Sequence, residues 1–202
     1  MKKSKDGAYF GIAYKDEKYD CCFTNERGEK KNKHEYNLWV GMLTRCYSQK
    51  TRALNKTYEG CEVDDFFLHY SNFYEWCNEQ IGFKDGFEID KDLLNKGNRI
   101  YSQNNCLFLP KSLNTALTRR QNHRGKYLIG VTFDKNIKRF ASRMSFFGKV
   151  KTLGYYKTEL EAFNAYKAAK EAYLKELAEK WKGEIDPRAY DALINYQVEM
   201  TD

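Results

Sequence analysis

The hydrophobic pattern of the chain changes period as it runs, and each change marks a different kind of element. Residues 8–30 hold short aromatic runs, AYFGIAY and YDCCF, broken by DEK and NERGEK, which predicts a weak hairpin or irregular arm. From His34 the period becomes helical, with the apolar pairs Leu38/Trp39, Met42/Leu43 and Cys46/Tyr47 on one face. A polar loop, SQKTRALNKTYEG, leads to a second helical stripe through Val63, Phe66/Phe67, Tyr70, Phe73/Tyr74, Cys77 and Ile81. Glu62, Asp64 and Asp65 fall in its first turn, where acids complement the helix dipole. Gly82 and Gly86 end it. Past residue 127 the pattern turns to strands: YLIGVTF, KRFASRMSFF and VKTLGYY, separated by DKN and by Gly148-Lys149, predict a three-stranded meander. Thr158 and Glu161 then form a capping-box signature. The stripe of Leu160, Phe163, Tyr166, Tyr173/Leu174, Leu177 and Trp181 that follows is long enough to cover one face of the meander. Asp186-Pro187 opens a last helix, with Asp as N-cap and Pro at the first position.

These patterns give an α+β fold class: a helical lead-in, a compact segment over residues 88–114, and a three-stranded antiparallel sheet packed on a long helix. The expected divisions are an N-terminal arm or hairpin (1–33), a first domain (34–115), a basic linker (116–127) and a second domain with a helical tail (128–202). The length of 202 residues suits one compact domain or two small ones. Hydrophobic content is 42%, but sixteen Tyr and thirteen Phe can fill cores without long aliphatic runs. No stretch approaches the ~18 apolar residues of a membrane span. The start, MKKSKDGAYFG, lacks the apolar core of a secretory signal, so a cytoplasmic protein is expected. Six Cys without a CxxC fit reduced thiols and do not point to a structural zinc.

Charge adds a partner class. Residues 111–151 hold eleven Lys/Arg against the single acid Asp134, a local surplus larger than the +7 of the whole chain. Residues 59–92 are the reverse, with ten acids against two bases. A localised basic block is the footprint of polyphosphate binding, though a solvated basic face has the same composition.

Residues 88–114, EIDKDLLNKGNRIYSQNNCLFLPKSLN, carry the candidate chemistry. A single divalent metal that cuts a phosphodiester needs oxygen ligands, open positions and a group that deprotonates water. Asp90 can supply an anionic oxygen and Asn114, on a short helix, a neutral amide oxygen. Asn105 is better suited to bracing the loop by hydrogen bonds.

The segment resembles the phage-type branch of the HNH endonucleases, whose core reads like LDRID-x-x-G-x-Y-x-P-x-NC-x-W. Ile89-Asp90-Lys91-Asp92 stands for the acid motif, Gly97-Asn98 for the glycine turn, and Tyr101-Ser102, Asn105-Cys106 and Asn114 for the rest. Upstream, Trp39, Met42-Leu43, Arg45-Cys46-Tyr47, Tyr58, Phe66, Phe73 and Trp76 resemble that branch's lead-in. The resemblance covers roughly residues 36–115 and implies a ββα-metal unit around one Mg²⁺ or Mn²⁺ ion. It would make Asp90 and Asn114 the metal ligands and Asn105 the brace. In active members a His general base follows the metal-binding acid, whereas Lys91 stands here. A Lys with an unperturbed pKa of about 10.4 is protonated at pH 7 and takes no proton, although its charge can stabilise a phosphate. Of the three His, His34 and His69 fall on predicted helices as structural or surface residues, and His123 in the basic linker is the substitute base to consider.

Residues 128–182 resemble the APETALA2/ethylene-response-factor DNA-binding domain, through Gly130-Val131, Arg139-Phe140-Ala141, Gly148-Lys149, Leu153-Gly154-Tyr155, Thr158, Glu161-Ala162 and Ala165-Tyr166. That resemblance implies a sheet lying in the DNA major groove, with Lys135, Lys138, Arg139, Arg143, Lys149 and Lys151 as contacts. Arg119, Arg120 and Arg124 of the linker would add phosphate contacts. Strand alternation would put Arg139, Ala141 and Arg143 on one face and Phe140, Ser142 and Met144 on the other, toward the helix. Phe133 and Phe140 stand where tryptophan is common in that family.

Three functions follow. The first is a phage-type, metal-dependent DNA nickase or homing-type endonuclease acting on double-stranded DNA in the bacterial cytoplasm. The second is the same scaffold binding DNA without cleaving it. The third is an inhibitor of a host defence protein, using the acidic stretch as its interaction face.

Overall fold

The computed structural model describes residues 8–117, 126–146 and 148–202. The chain is a mixed α/β protein that divides into two compact units, Met1–Phe108 and Leu109–Asp202. Among the described residues no helix is long and apolar enough to cross a membrane.

The first unit opens with a short hairpin, β1 (Cys22–Thr24) against β2 (Lys30–Asn32), and helix α1 (His34–Tyr47) follows. The stretch SQKTRALNKTYEG, expected as a loop, contains helix α2 (Gln49–Leu54) and a single 3₁₀ turn at Lys56–Tyr58. Ser48 and Asn55 cap these with their side chains. The second stripe does not form one continuous helix. It is divided into strand β3 (Glu62–Val63), helix α3 (Asp65–Leu68) and helix α4 (Tyr70–Glu79). The break lies at His69, because Tyr14 of the arm inserts there: Tyr14 N–H donates to Leu68 O (2.9 Å) and Tyr70 N–H to Tyr14 O (3.0 Å). His69 is therefore extended and stacks on Tyr14, rather than riding on a helix. Periodicity alone carries no trace of a bridge made by residues more than fifty positions upstream.

The core of this unit is aromatic. Trp39, Phe67, Tyr70, Phe73 and Phe108 are fully buried, and Trp76 nearly so. Their rings meet tilted or edge-on, as Phe67–Trp76 (4.8 Å) and Trp76–Phe108 (5.4 Å) do, the arrangements favoured by ring quadrupoles. Trp39 Nε1–H donates to Phe67 O at 2.7 Å, so the largest side chain is buried without an orphaned donor. All six Cys are free. Burial pushes the Cys46 and Cys106 thiols up to about 12, so both remain protonated packing groups. Strand β4 (Phe87–Asp90) pairs with β6 (Leu107–Pro110), inside which the division between units falls, and β3 pairs in parallel with β5 (Ile100–Tyr101).

The second unit begins with helix α5 (Lys111–Leu117) and contains the meander: β7 (Val131–Asp134), β8 (Arg139–Phe146) and β9 (Lys149–Tyr156), antiparallel in that order. Helix α6 (Glu159–Lys180) starts with a complete capping box between Thr158 and Glu161, and α7 (Pro187–Ile194) is capped by Asp186. Register places Val131 opposite Ser142 and Gly154, and Phe133 opposite Phe140 and Tyr156. Phe146 meets Tyr173 of α6 (5.2 Å), so this series, with Met144, is the helix side of the sheet. Gly130 is needed at the entry: its φ is +76°, and a Cβ there would lie 2.1 Å from the Tyr166 ring of α6. The β7–β8 turn is built on Asp134, whose Oδ1 accepts from the backbone N–H of Asn136 and Ile137. Lys138 closes it with φ 54°.

Two defects of this unit generate predictions. Ser142 faces the helix, is fully buried, and its Oγ has no hydrogen-bond partner among the described residues. Ser142→Ala should therefore raise unfolding stability by about 1 kcal/mol, measured by chemical denaturation. Lys170 on α6 donates to Ala116 O of α5, and burial draws its amine down from the ordinary lysine range to about 8. The unfolded chain binds that proton up to about 10.4, so stability should rise as pH climbs from about 8 toward 10.4. Lys170→Met should be more stable at pH 7 by about 2 kcal/mol, allowing for the lost hydrogen bond, and the gap should close by about pH 10. Denaturation midpoints of both proteins across pH 7–10 measure it.

Candidate nucleic-acid interface and the 90–106 loop

The segment after β4 lacks a regular element until β5, so side chains must hold it. Asp90 ends β4, and its Oδ1 accepts from the backbone N–H of Asp92 (2.9 Å) and Leu93 (2.8 Å), an Asx-type turn. Burial pushes the Asp90 carboxyl upward, assisted by the Asp92 charge and opposed by those two N–H groups and by Lys91. Oδ2 makes no hydrogen bond among the described residues, so Asp90 offers one free oxygen.

Lys91 is 8% exposed. Its ammonium donates to the Asp92 carboxylate and to Asn98 O (2.7 Å), and it lies 5.7 Å from the centre of the Tyr101 ring. Asn98 returns the contact: its Nδ2 donates to Lys91 O (2.9 Å) and Ile100 O (2.8 Å), while its Oδ1 accepts from Ile100 N–H (3.1 Å). Asn105 Oδ1 accepts from Asn95 Nδ2 (2.8 Å), and Asn105 Nδ2 reaches Asn98 Oδ1 at 3.5 Å. Tyr101 is fixed from α1 by Arg45, whose Nε–H donates to its hydroxyl at 3.0 Å and whose guanidinium lies 5.5 Å from its ring centre. Burial is the main cause that pushes the Tyr101 hydroxyl upward. Asn95, Asn98 and the Arg45–Tyr101 pair are thus part of the loop's framework, a role their positions in the motif did not assign. The available signal for Arg45 was an isolated charge on a helix face otherwise made of Trp39, Met42, Leu43 and Cys46.

His34 and His69 are also placed. His34 stacks on Phe83 with its Nε2 buried and unpartnered, and His69 stacks on Tyr14. Asn114 lies on α5 in the second unit. Among the described residues no group of three or more His, Cys, Asp or Glu gathers as metal ligands would. The one free oxygen of Asp90 does not fill the shell of a hard divalent cation, which takes about six oxygens or more. His123, Arg119, Arg120 and Arg124 lie outside the described residues.

In the second unit, Arg139 and Arg143 alternate with Phe140, Ser142 and Met144 along β8 and stand on the face away from α6. Lys135 and Lys138 sit in the β7–β8 turn. Lys149 and Lys151 pair with Phe146 and Met144, so they lie on the helix side of edge strand β9, and Lys151 rests over the Phe146 ring at 5.6 Å. The basic positions therefore occupy two aspects of the sheet. Lys135, Lys138, Arg139, Arg143 and Lys149 make no ion pair or side-chain hydrogen bond among the described residues. Elsewhere Lys18 pairs with Glu75, Lys167 with Glu171 and Arg188 with Asp186, while Arg27, Lys50, Lys56 and Lys111 are unpaired among the described residues as well.

Four of the ten acids in residues 59–92 have internal partners that can be named. Asp64 caps α3 through Phe66 N–H, Glu75 takes Lys18 and the Tyr19 hydroxyl, Asp90 holds its own turn, and Asp92 takes Lys91. Comparison with protein-family models, curated proteins and solved structures yields no match for this chain.

The loop network predicts that Lys91→Met destabilises the first unit. It leaves Asn98 O without its donor and Asp92 without its cation. Because Asp92 is half exposed, the cost should be about 1–3 kcal/mol in denaturant unfolding, not the larger cost of a fully buried broken pair.

Proposed function

We propose that this chain is a DNA-binding protein on an HNH-type endonuclease scaffold, in which the meander of the second unit contacts DNA and the 90–106 loop braces the first unit. The observation that carries this reading is the set of uncommitted cations at Lys135, Lys138, Arg139, Arg143 and Lys149. Five unpaired cations gathered on one small sheet and its turn make a surface suited to phosphates. Sequence readout through the edges of base pairs would fall to Arg139 and Arg143. The phage-type relationship and a host-cytoplasm setting belong to this proposal and rest on the residue motifs.

Cleavage is the alternative. It would use Asp90 and Asn114 to hold Mg²⁺ or Mn²⁺, which would polarise a phosphate, and it needs a proton acceptor. Lys91, in the place of the usual His, is occupied with Asp92, Asn98 and the face of Tyr101, which favours binding without turnover. The reading as an inhibitor of a host protein has less support, because four of the ten acids of the 59–92 stretch, Asp64, Glu75, Asp90 and Asp92, already serve internal contacts.

Two measurements test the proposal. Affinity for a duplex should fall steeply with salt, and Arg139→Ala with Arg143→Ala should lower it about tenfold or more and reduce the log–log salt slope by roughly 2. Salt-independent or absent binding would remove the DNA reading and leave the host-protein one. Supercoiled plasmid with Mg²⁺ or Mn²⁺ should stay uncut. Nicking that Asp90→Ala abolishes would establish the nuclease instead.

A further inference from the structure

The outer face of the meander carries one feature that phosphate contact does not require. Register aligns Thr132, Ala141 and Tyr155 in a single row across the three strands. Arg139 and Arg143 stand on either side of Ala141 along β8, a span of roughly 13 Å at the rise of a strand. Ala141 is 0% exposed although it faces away from α6. Its neighbours on that face are Thr132 and Tyr155 across the strands and the two arginines along β8. Tyr155 itself is 46% exposed, so a large part of its side chain is open to solvent.

Tyr155 also differs from the other aromatic residues of the meander. Phe133, Phe140, Phe146 and Tyr156 lie on the helix side by register. There Phe133 and Phe140 pack with Tyr127, and Phe146 packs with Tyr173. Tyr155 alone of these stands on the outer face, and it makes no ring contact or hydrogen bond among the described residues. Asp134 lies opposite Arg139 in the register, but its Oδ1 is held by its own turn and it forms no ion pair with that arginine. The row is thus an uncovered aromatic ring between two unpaired guanidinium groups.

We propose that Tyr155 is a stacking platform for one unpaired base of single-stranded DNA, with Arg139 and Arg143 holding the phosphates on either side. This rests on the DNA-binding reading and narrows it to the state of the strand. A duplex buries its base faces in its own stack and offers only base edges and backbone, whereas an opened, gapped or nicked strand offers a π-face that a tyrosine can take. The arginines serve both substrates, while the exposed ring serves only the second.

The test is fluorescence anisotropy with a labelled single-stranded DNA and a duplex of the same length and sequence, on the full chain at two salt concentrations. Tyr155→Leu should lower affinity for the single strand about tenfold, leave the duplex within twofold, and leave the salt slope unchanged because no charge is lost. Tyr155→Phe should retain single-strand affinity. Arg139→Ala with Arg143→Ala should weaken both substrates and flatten the slope. The platform is overturned if Tyr155→Leu binds the single strand as the parent does, if it loses both substrates equally, or if Tyr155→Phe loses as much as Tyr155→Leu. The first of those results, with salt-dependent duplex binding intact, spares the DNA reading, whereas no binding to either substrate removes both. Tyr155→Thr, a strand-compatible exposed residue, repeats the measurement if the leucine variant does not fold.

Discussion

A buried ammonium group must be given partners, and the loop between β4 and β5 is organised around supplying them to Lys91. The charge is satisfied by a neighbouring carboxylate, a carbonyl seven residues on, and an aromatic face. The carbonyl belongs to Asn98, and the Asn98 side chain bonds back to the backbone on both flanks of the loop. The ring belongs to Tyr101, which is pinned by Arg45 from α1. Removing the ammonium would therefore loosen the turn capped by Asp90, the Asn95–Asn98–Asn105 chain and the seat of Tyr101 together. A catalytic base needs a free lone pair aimed at water. Lys91 instead has its protons directed inward, into the packing that gives the loop its shape.

The second unit is governed by a simpler constraint, the two-residue period of a strand. Once Val131, Phe140, Met144 and Phe146 are turned toward α6, the residues between them have no choice of face. Arg139, Arg143 and Tyr155 are outside because their neighbours are inside. The bulge between Ser142 and Arg143 lets β9 carry one extra residue, Leu153, so that Gly154 stays opposite Ser142 while Thr152 stays opposite Arg143. That irregularity also decides the side taken by Lys149 and Lys151, which face the helix, unlike the arginines of β8.

Much of this was legible in the sequence, and the exceptions have physical reasons. The meander, the capping box at Thr158–Glu161, the Asp186-Pro187 start and the alternation along β8 depend on neighbours within a few positions, which local pattern reports well. The break at His69 depends on Tyr14, and the extra residue in β9 depends on pairing with β8, so neither leaves a local mark. The Asp90–Asn114 pairing is a long-range relation implied by resemblance, and local pattern does not address it. The internal role of Lys91 was hidden for a related reason: a lysine in a polar segment reads as exposed, and only the approach of Asn98 and Tyr101 makes it a core residue.

The two cation populations separate these roles. A charge that is buried or ion-paired already has its counter-charge and gains little from a phosphate, since the new contact must first break the old one. Lys91, Lys167 and Arg188 are in that position. A charge held on a rigid strand, without a partner, pays no such exchange and has lost part of its freedom already, so a polyanion finds it prepared. Arg139 and Arg143 are in the second position, separated by a covered alanine and an open ring. The same sequence pairs one set of cations internally and presents another outward, and the strand period determines which arginines belong to the second set.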